Sequence, residues 1–278
     1  MAAWLHDCGK ITTPEYVVDK GTKLETIYDK VHLVDLRFEI LKRDAEIAAL
    51  KRRLAGLGIT DLSDAELNVK IAELDKDREF VRWCNIGGET ISAEAISRID
   101  HIAGREWTTP AGIMAKFLED EERENLKISR GTLNERERQI INNHVAVTIK
   151  ILESLPYPKH LKRVPEYAGG HHEKMDGTGY PNHLLREQMS IPARMVAIAD
   201  VFEALTAKDR PYKKAMPLSK ALTILGRLKI ENHIDPDLFD VFVWEKVYLK
   251  YAHEHLNPEQ IDEIKLESLP GYVPPPCN

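Results

Sequence analysis

The stretch of this sequence richest in chemically capable side chains runs from His171 to Pro181, with the sequence HHEKMDGTGYP. Two adjacent histidines at the end of a predicted helix can offer neutral imidazoles, which are good ligands for first-row transition metals. Gly177 and Gly179 let a loop approach a ligand closely, while Tyr180 offers an aromatic face. The stretch is therefore a candidate metal and ligand site, with an ordinary surface turn as the competing interpretation.

Other residues whose side chains can bind a metal lie elsewhere in the chain, two of them in apolar helices. His6 and Asp7 are adjacent, His144 lies on the predicted inward face of a helix, and Asp200 interrupts a strongly apolar helix. A carboxylate buried there needs a hydrogen-bonded partner or a cation, and a metal ion satisfies it best. Taken singly, each residue is weak evidence, because a lone inward histidine is more often a core residue than a ligand.

Helices are predicted to position these residues. Apolar residues recur at alternating steps of three and four from Leu24 to Ala48, which predicts a long helix with a narrow apolar seam. Gly56 and Gly58 are predicted to end it, and Ser63 is predicted to cap a second, polar helix. Two antiparallel arms, as in a coiled coil or helical hairpin, are the simplest arrangement.

The rest of the chain shows the same helical character. Helices are predicted over residues 92–103, 134–155, 164–172, 192–207, 218–228, 236–251 and 258–266. Thr132 with Glu135 is the predicted capping box for the second of these. The sequence has no convincing strand pattern and no alternation of strands with helices. We therefore predict an all-α fold.

Composition limits the classes of partner. The 278 residues include 39 Lys and Arg against 45 Asp and Glu, so the net charge of -6 does not attract duplex nucleic acid or anionic lipid. Cys8, Cys84 and Cys277 are predicted to be free thiols in a reducing cytosol. No apolar stretch approaches the length of a membrane span. We expect a soluble cytoplasmic protein without membrane contact.

Several motifs, in their order along the chain, resemble the HD-GYP family of bacterial HD-superfamily phosphodiesterases. They are LHDCGK at 5–10, HHEKMDGTGYP at 171–181, IP at 191–192, ADVFEALT at 199–206 and DRPYK at 209–213. The resemblance covers residues 1 to about 23 and 133 to about 240. It implies an HD-superfamily helical bundle that hydrolyses cyclic di-GMP to linear pGpG, to GMP, or to both.

The resemblance also implies a centre of two or three divalent ions. Iron or manganese is favoured, although histidine and carboxylate ligands suit zinc as well. The implied metal ligands are His6, Asp7, His144, His171, His172 and Asp200. Asp7 would bridge the ions and count, with Lys10, as a catalytic residue.

Substrate contacts are carried over from the family in the same way. Lys10 would contact the scissile phosphate, and Arg210 and Lys213 would supply further phosphate donors. The loop of Gly179, Tyr180 and Pro181 resembles the lip that shapes the dinucleotide site, and in the family it also serves as a protein docking surface.

Two departures from the family pattern carry expectations of their own. Only five residues precede His6, where the family has a helix with a further metal-binding histidine, so we expect an N-terminally truncated chain. About 110 residues separate the two matching parts, so we expect a large helical insertion. The predicted domains are 1–23 and 132–266 for the catalytic core, 24–131 for the insertion and 267–278 for a tail.

These departures leave other functions open. One alternative is a catalytically impaired module that binds a cyclic dinucleotide or a partner protein in signalling. Another is a phosphodiesterase that prefers a related cyclic dinucleotide. We predict that the helical arm mediates homodimerisation or partner binding, because a narrow apolar seam prefers a facing helix. The alternatives are an arm that folds back on the core and one that is only a solvated excursion.

Overall fold

The computed structural model of the chain describes residues 1–54, 64–88, 90–207 and 216–275. It divides into two compact units, which we call the site unit (residues 1–13 and 140–278) and the arm unit (residues 14–139). Separate hydrophobic clusters stabilise them. The assignment of residues 24–131 as an insertion into a family core stays a prediction.

The described residues are mainly helical, which confirms the predicted all-α fold. In chain order the helices are α1 (Ala2–Leu5), α2 (Glu15–Val18), α3 (Val31–Leu54), α4 (Asp64–Asn85), α5 (Ala93–Ala103), α6 (Asp120–Leu126), α7 (Glu135–Asn142), α8 (His144–Glu153), α9 (Val164–Gly169), α10 (Ile191–Thr206), α11 (Leu218–Ile230), α12 (Pro236–Trp244) and α13 (Val247–His255). Tight 3-10 turns include Cys8–Thr12, Arg186–Gln188 and Pro258–Gln260. No described helix is both long and apolar enough to cross a membrane.

The predicted pair of helices forms the main packing of the arm unit. The side chain of Arg82 reaches Asp35, and that of Lys42 reaches Asp75, so α3 and α4 run antiparallel. Their apolar faces meet in a cluster of buried side chains that includes Val34, Phe38, Leu74 and Val81. The heptad seam on α3 is therefore satisfied largely within the chain, by α4 and its neighbours.

The first long helix begins at Val31, and the predicted start at Leu24 was wrong. The backbone N–H of Leu24 donates to the side-chain oxygen of Asn85 at 2.7 Å, which holds this residue in a loop. A carboxylate oxygen of Asp29 accepts from the backbone N–H of Val31 at 2.9 Å. Asp29 therefore satisfies a free donor at the true start of the helix.

A short hairpin in the arm unit corrects the prediction that the chain has no strands. Strands β1 (Glu106–Thr108) and β2 (Met114–Lys116) pair antiparallel, with Trp107 opposite Ala115. Each strand has three residues. A segment this short contains too little alternation to reveal a period of two.

The helix predicted over residues 134–155 is divided into α7 and α8. Its start is capped by Asn134 and Glu137, whose side chains each accept from the other's backbone N–H at 2.9 Å. The predicted box of Thr132 and Glu135 was therefore wrong, and the Thr132 hydroxyl donates to the carbonyl oxygen of Lys20 instead. The helix predicted over 92–103 is present as α5, and the Ser92 hydroxyl caps it by accepting from the backbone N–H of Ala95.

Two other helix predictions in the site unit need correction. The helix predicted over 236–251 is interrupted at Lys246, whose φ of 50° lies in the left-handed region. The helix predicted over 258–266 is reduced to a 3-10 turn at Pro258–Gln260. Beyond that turn the Asp262 carboxylate accepts from the backbone N–H of Ser219 at 2.8 Å, so it caps the first turn of α11.

Some predicted features lie outside the described residues. These are the helix-ending glycines Gly56 and Gly58, the capping residue Ser63, the phosphate donors Arg210 and Lys213, and Cys277. Cys8 and Cys84 are described, and both are free thiols.

Candidate metal centre

Four segments of the site unit bring the predicted metal ligands together. His6 and Asp7 lie in the turn after α1, and His144 is the first residue of α8. His171 and His172 follow the end of α9, and Asp200 lies within α10. The rings of His171 and His172 are 4.3 Å apart between centroids, and the ring of His6 is 4.8 Å from that of His171.

The turn that holds His6 and Asp7 is attached directly to α8. The buried hydroxyl of Thr148 donates to the carbonyl oxygen of His6 at 3.0 Å and accepts from the backbone N–H of Gly9 at 2.9 Å. Gly9 lies so close to α8 that a Cβ atom would come within 2.7 Å of the backbone nitrogen of Thr148. This close approach places His6 and Asp7 beside His144.

Three of the histidines are oriented by the same local hydrogen bond. The Nδ1 atoms of His6, His144 and His171 lie 2.8, 2.5 and 2.6 Å from the carbonyl oxygens of the residues three positions earlier. A carbonyl oxygen only accepts, so Nδ1 is the protonated nitrogen in each ring. The opposite nitrogen, Nε2, is thereby left as the atom available to a metal, as is usual for metal-binding histidines.

Atoms at the centre of the cluster are buried without hydrogen-bond partners. Among the described residues these include Asp7 Oδ1, His144 Nε2 and His171 Nε2. His144 Nε2 is 3.1 Å and His171 Nε2 is 3.8 Å from Asp7 Oδ1. Lone pairs that face one another in a buried space repel unless a cation or a proton lies between them. The donor atoms therefore fit divalent metal ions.

The ligand atoms form two overlapping groups, each compact enough to hold an ion. One comprises His144, His171 and His172, and the other comprises His6, Asp7 and His171, with the atoms of each group within 4.8 Å of one another. Asp200 contacts the second group, because its Oδ1 lies 3.2 Å from His6 Nε2. All six predicted ligands are thus in one cluster, although Asp200 belongs to neither group of three.

Burial and charge together keep the cluster in a form that suits a cation. Burial lowers the pKa of His171 to about 4 and that of His172 to about 3, so both rings are neutral near pH 7. Burial would raise the pKa of Asp7, but the neighbouring His144 and Lys10 lower it well below its ordinary value. Neutral imidazoles and an ionised carboxylate are the forms that bind metals.

His6 is the histidine of the cluster that forms a hydrogen bond with Asp200. The hydrogen bond with Asp200 raises the pKa of His6, against the opposing effect of burial. The Nε2 of His6 and the Oδ1 of Asp200 are 3.2 Å apart, and both could serve as metal ligands. A cation bound by His6 and Asp200 would take the place of this hydrogen bond.

Lys10 lies at the edge of the cluster. Its Nζ donates to Asp7 Oδ2 at 2.5 Å, and its side chain is 40% exposed. Lys10 therefore contacts a candidate metal ligand and still reaches solvent, where a phosphate group could approach it.

The loop predicted to shape a ligand site lies against the second of the paired histidines. The ring of Tyr180 stacks on the ring of His172, with centroids 4.9 Å apart and planes 17° from parallel. Its backbone N–H donates to the carbonyl oxygen of His172 at 3.2 Å. Burial raises the pKa of Tyr180 to about 12. Tyr180 thus contacts a histidine of the cluster, and a role of Gly179, Tyr180 and Pro181 as a lip of the site stays a prediction.

Glu173 positions this loop, a role that the sequence alone did not reveal. It is buried, and its two carboxylate oxygens accept from the backbone N–H groups of Asn182 and Leu184 at 2.7 and 2.9 Å. The loop therefore closes onto the residue next to His172. The only signal in the sequence was an acid directly after two histidines, and its partners are backbone groups that carry no side-chain signature.

Comparisons with known proteins agree with this arrangement. Residues 121–238 match the protein family described as HD domain. A 3'3'-cGAMP-specific phosphodiesterase of Vibrio cholerae is 43% identical over 109 residues, which are 39% of this chain and 23% of that protein. A cyclic di-GMP phosphodiesterase of Pseudomonas aeruginosa is 47% identical over 73 residues, which are 26% of this chain and 17% of that protein.

A cyclic di-GMP phosphodiesterase of Thermotoga maritima is similar as well, with 31% identity over 120 residues, which are 43% of this chain and 32% of that protein. The chain spans less than a third of the length of each of these three relatives. The matched residues 121–238 include His144, the paired histidines and Asp200. This part of the chain is therefore similar to HD domains, and its HHExxDGxGYP motif resembles the HD-GYP type.

Proposed function

We propose that this chain is a metal-dependent phosphodiesterase that hydrolyses cyclic di-GMP to pGpG, to GMP, or to both. The observation that carries the proposal is the gathering of six side chains, distant in sequence, around buried lone pairs that have no hydrogen-bond partner. The names of the similar phosphodiesterases support the same reaction class.

His6, Asp7, His144, His171, His172 and Asp200 would hold two or three divalent ions, with iron or manganese favoured. Ions bound there would polarise the phosphodiester oxygens and neutralise the charge that develops on them. Asp7 would bridge the two groups of ligands, because one oxygen faces His144 and His171 while the other approaches His6.

The protein's own side chains would orient the substrate. Lys10 would donate to the scissile phosphate from the rim of the cluster, since its ammonium group is tied to Asp7 and still reaches solvent. Gly179, Tyr180 and Pro181 would form the lip that holds the dinucleotide, and Glu173 would fix their position. Arg210 and Lys213, which lie outside the described residues, would add further phosphate donors.

The choice of cyclic dinucleotide is part of the proposal. Cyclic di-GMP is the substrate implied by the HD-GYP resemblance, and one similar protein is named for 3'3'-cGAMP instead. The two substrates share the phosphodiester ring and differ in one base. Recognition of that base, rather than the metal chemistry, would decide between them.

The test is a cleavage assay with purified protein loaded anaerobically with Mn²⁺ or Fe²⁺. Cyclic di-GMP and 3'3'-cGAMP are supplied separately, and linear products are resolved by chromatography. We expect pGpG or GMP from cyclic di-GMP, and no product from protein treated with a chelator. A folded, metal-loaded protein that binds either dinucleotide without cleaving it would support the impaired module instead.

We also propose that residues 24–131 are an insertion whose helical arm binds a second copy or a partner protein. The support is an amphipathic pair of helices, α3 and α4, with apolar side chains left exposed on α3. Deletion of residues 24–131 should abolish the association while the metal ligands remain in the chain.

A further inference from the structure

A cleft in the site unit lies apart from the candidate metal ligands. Its volume is about 620 Å³, within the range of about 300–1,000 Å³ that is usual for small-molecule sites. Its walls come from the end of α8 with the loop after it, from α9 and from residues 182–193. None of the six candidate metal ligands lines it. The site unit therefore has room for a ligand outside the metal cluster.

The surface of this cleft is more apolar than polar. Pro165, Met189 and Ala193 line it and are buried. Leu155 and Tyr157 line it as well, and an aromatic ring is a surface on which nucleobases stack. The cleft therefore fits a ligand that has a planar, largely apolar part.

Two of the charged side chains in the cleft have no partner. Glu153, Lys162 and Glu166 line it, and Glu166 already accepts from the Arg163 guanidinium at 2.7 Å. In the part of the chain that the structure describes, the side chains of Glu153 and Lys162 form no hydrogen bond or ion pair. Both are exposed, so a ligand can reach an anion and a cation in the same cleft.

We infer that the cleft is a second nucleotide site, which binds the guanylate product of the reaction. The choice of guanine rests on the proposed function, whose products are pGpG and GMP. Guanine carries two neighbouring donors, N1–H and the 2-amino group, and the Glu153 carboxylate can accept from both. The Lys162 ammonium would pair with the phosphate. Adenine has an acceptor at N1 and no 2-amino group, so it would leave Glu153 unsatisfied.

The cleft is connected to the metal cluster through the backbone on both sides of the paired histidines. Gly169 and Gly170, which line it, directly precede His171. Asn182 and Leu184, which also line it, donate their backbone N–H groups to Glu173. A nucleotide in the cleft would therefore contact the loop that carries Tyr180 without touching a metal ligand.

Calorimetric titration of the full chain, kept metal-free with a chelator, tests binding without turnover. GMP should bind with a Kd below about 1 mM, and K162E should raise this Kd at least about tenfold, because the phosphate loses a charged partner. K250E is the matched control, at an exposed lysine of α13 that does not line the cleft. Inorganic phosphate that binds as tightly as GMP, or K162E that binds GMP as tightly as wild type, would overturn the inference.

Selectivity for the base tests the role of Glu153. Wild type should bind GMP at least about tenfold more tightly than AMP, and E153Q should reduce this preference to less than about threefold, because glutamine offers one acceptor and one donor group. Circular dichroism checks that both variants keep their helices. An unchanged preference in E153Q, or equal binding of GMP and AMP by wild type, would contradict the assignment.

Hydrogen exchange of the same metal-free protein locates the bound nucleotide. GMP should slow exchange at residues 162–170 and 182–189, and K162E should remove this protection. Protection confined to residues 5–10 would place GMP at the metal cluster and overturn the inference. Because these measurements need no cleavage, a chain that binds GMP in the cleft but cleaves no cyclic dinucleotide would contradict the proposed function alone.

Discussion

At the scale of single residues, the candidate centre depends on how each imidazole is held. His6, His144 and His171 donate Nδ1–H to carbonyl oxygens of their own local turns, so the direction of each Nε2 is fixed by the backbone. The set of ligands could be predicted from sequence because the HD-GYP resemblance implied it, whereas each residue taken singly was weak evidence. The roles of Glu173 and Thr148 could not, because their partners are backbone groups brought near by folding.

Replacing Asp7 should remove the contact shared by the two ligand groups. D7N keeps the size of the side chain but replaces one anionic oxygen with an amide, which is a poor metal ligand. We expect bound Mn²⁺ to fall and cleavage to decrease at least roughly 100-fold, more than is usual for changes outside the ligand set. Metal analysis after dialysis measures the first effect, and H160A, at an exposed histidine of the same unit, is the control.

Replacing Glu173 should loosen the loop that carries Tyr180. Glutamine offers only one carbonyl oxygen, so in E173Q either Asn182 or Leu184 loses the acceptor for its backbone N–H and meets a donor instead. We expect a loss of about 1–3 kcal/mol in unfolding free energy and faster hydrogen exchange at residues 177–184. KM should rise more than kcat falls. E187Q, at an exposed acid of the same loop, should change neither the unfolding free energy nor the hydrogen exchange. Equal exchange rates at residues 177–184 in E173Q and E187Q would contradict the positioning role of Glu173.

At the scale of elements, the site depends on the close packing of the turn after α1 against α8. Gly9 is not a ligand, but its lack of a side chain permits the contact through Thr148. The sequence indicated a glycine in the LHDCGK motif without indicating what it lies against. That information exists only once α8 is folded beside it.

A methyl group at Gly9 should therefore damage the metal site from outside it. G9A would push the turn away from the backbone of α8 and separate Asp7 from His144. We expect Mn²⁺ affinity to fall about 10–100-fold with helical content unchanged. G88A is the matched control, since a Cβ at Gly88 would meet nothing within 4 Å. Unchanged metal affinity in G9A would show that the close approach is not required.

Asp235 joins three elements of the site unit and gives a prediction for pH. Its buried carboxylate accepts from Arg186 at 2.9 Å, from Arg194, and from the backbone N–H groups that begin α12. Burial would raise the pKa of Asp235, but the hydrogen bonds from Arg186, Leu238 and Arg194 lower it below its ordinary value of 3.8. The stabilisation is thus complete above pH 3.8 and is lost as the pH falls through the lowered pKa.

D235N should cost about 3 kcal/mol of unfolding free energy at pH 7, because two arginines lose a buried counter-charge. The difference from wild type should shrink as the pH falls below 3.8, where the wild-type carboxylate is progressively neutralised. Urea unfolding at several pH values measures this difference in unfolding free energy between D235N and wild type. D237N, at an acid whose side chain is 77% exposed, should cost less than about 1 kcal/mol. A difference for D235N that grows on acidification would contradict this assignment.

Helix positions could be predicted better than helix ends. The apolar periodicity of α3, α5, α10 and α11 is visible in the sequence, and each is present. The start of α3 lies at Val31 rather than Leu24, where Asp29 supplies the cap from outside the predicted pattern. The starts of α7 and α11 agree with the predicted ones, and there Asn134 and Asp262 accept from backbone N–H groups of the first turn. The hairpin of β1 and β2 was missed because its strands are too short to show a period.

At the scale of the whole molecule, the chain combines a site unit and an arm unit that are separate in their packing. The ligands come from residues 1–13 and 140–278, so they lie on both sides of the arm unit in sequence. The family resemblance could identify these two parts, because the motifs keep their order. It gave no guide to the arm, where one face of α3 is buried and Leu36, Leu50 and Leu54 are exposed.

The most direct measurement is anomalous diffraction from crystals of the Mn²⁺-loaded protein. The account predicts at least two manganese peaks in the cluster, one within about 2.3 Å of nitrogen atoms of His144 and His172, and one equally close to His6 and Asp7, with His171 Nε2 bound to one of the two. A well-ordered structure with manganese bound elsewhere, or with the cluster closed around protons alone at saturating Mn²⁺, would contradict it.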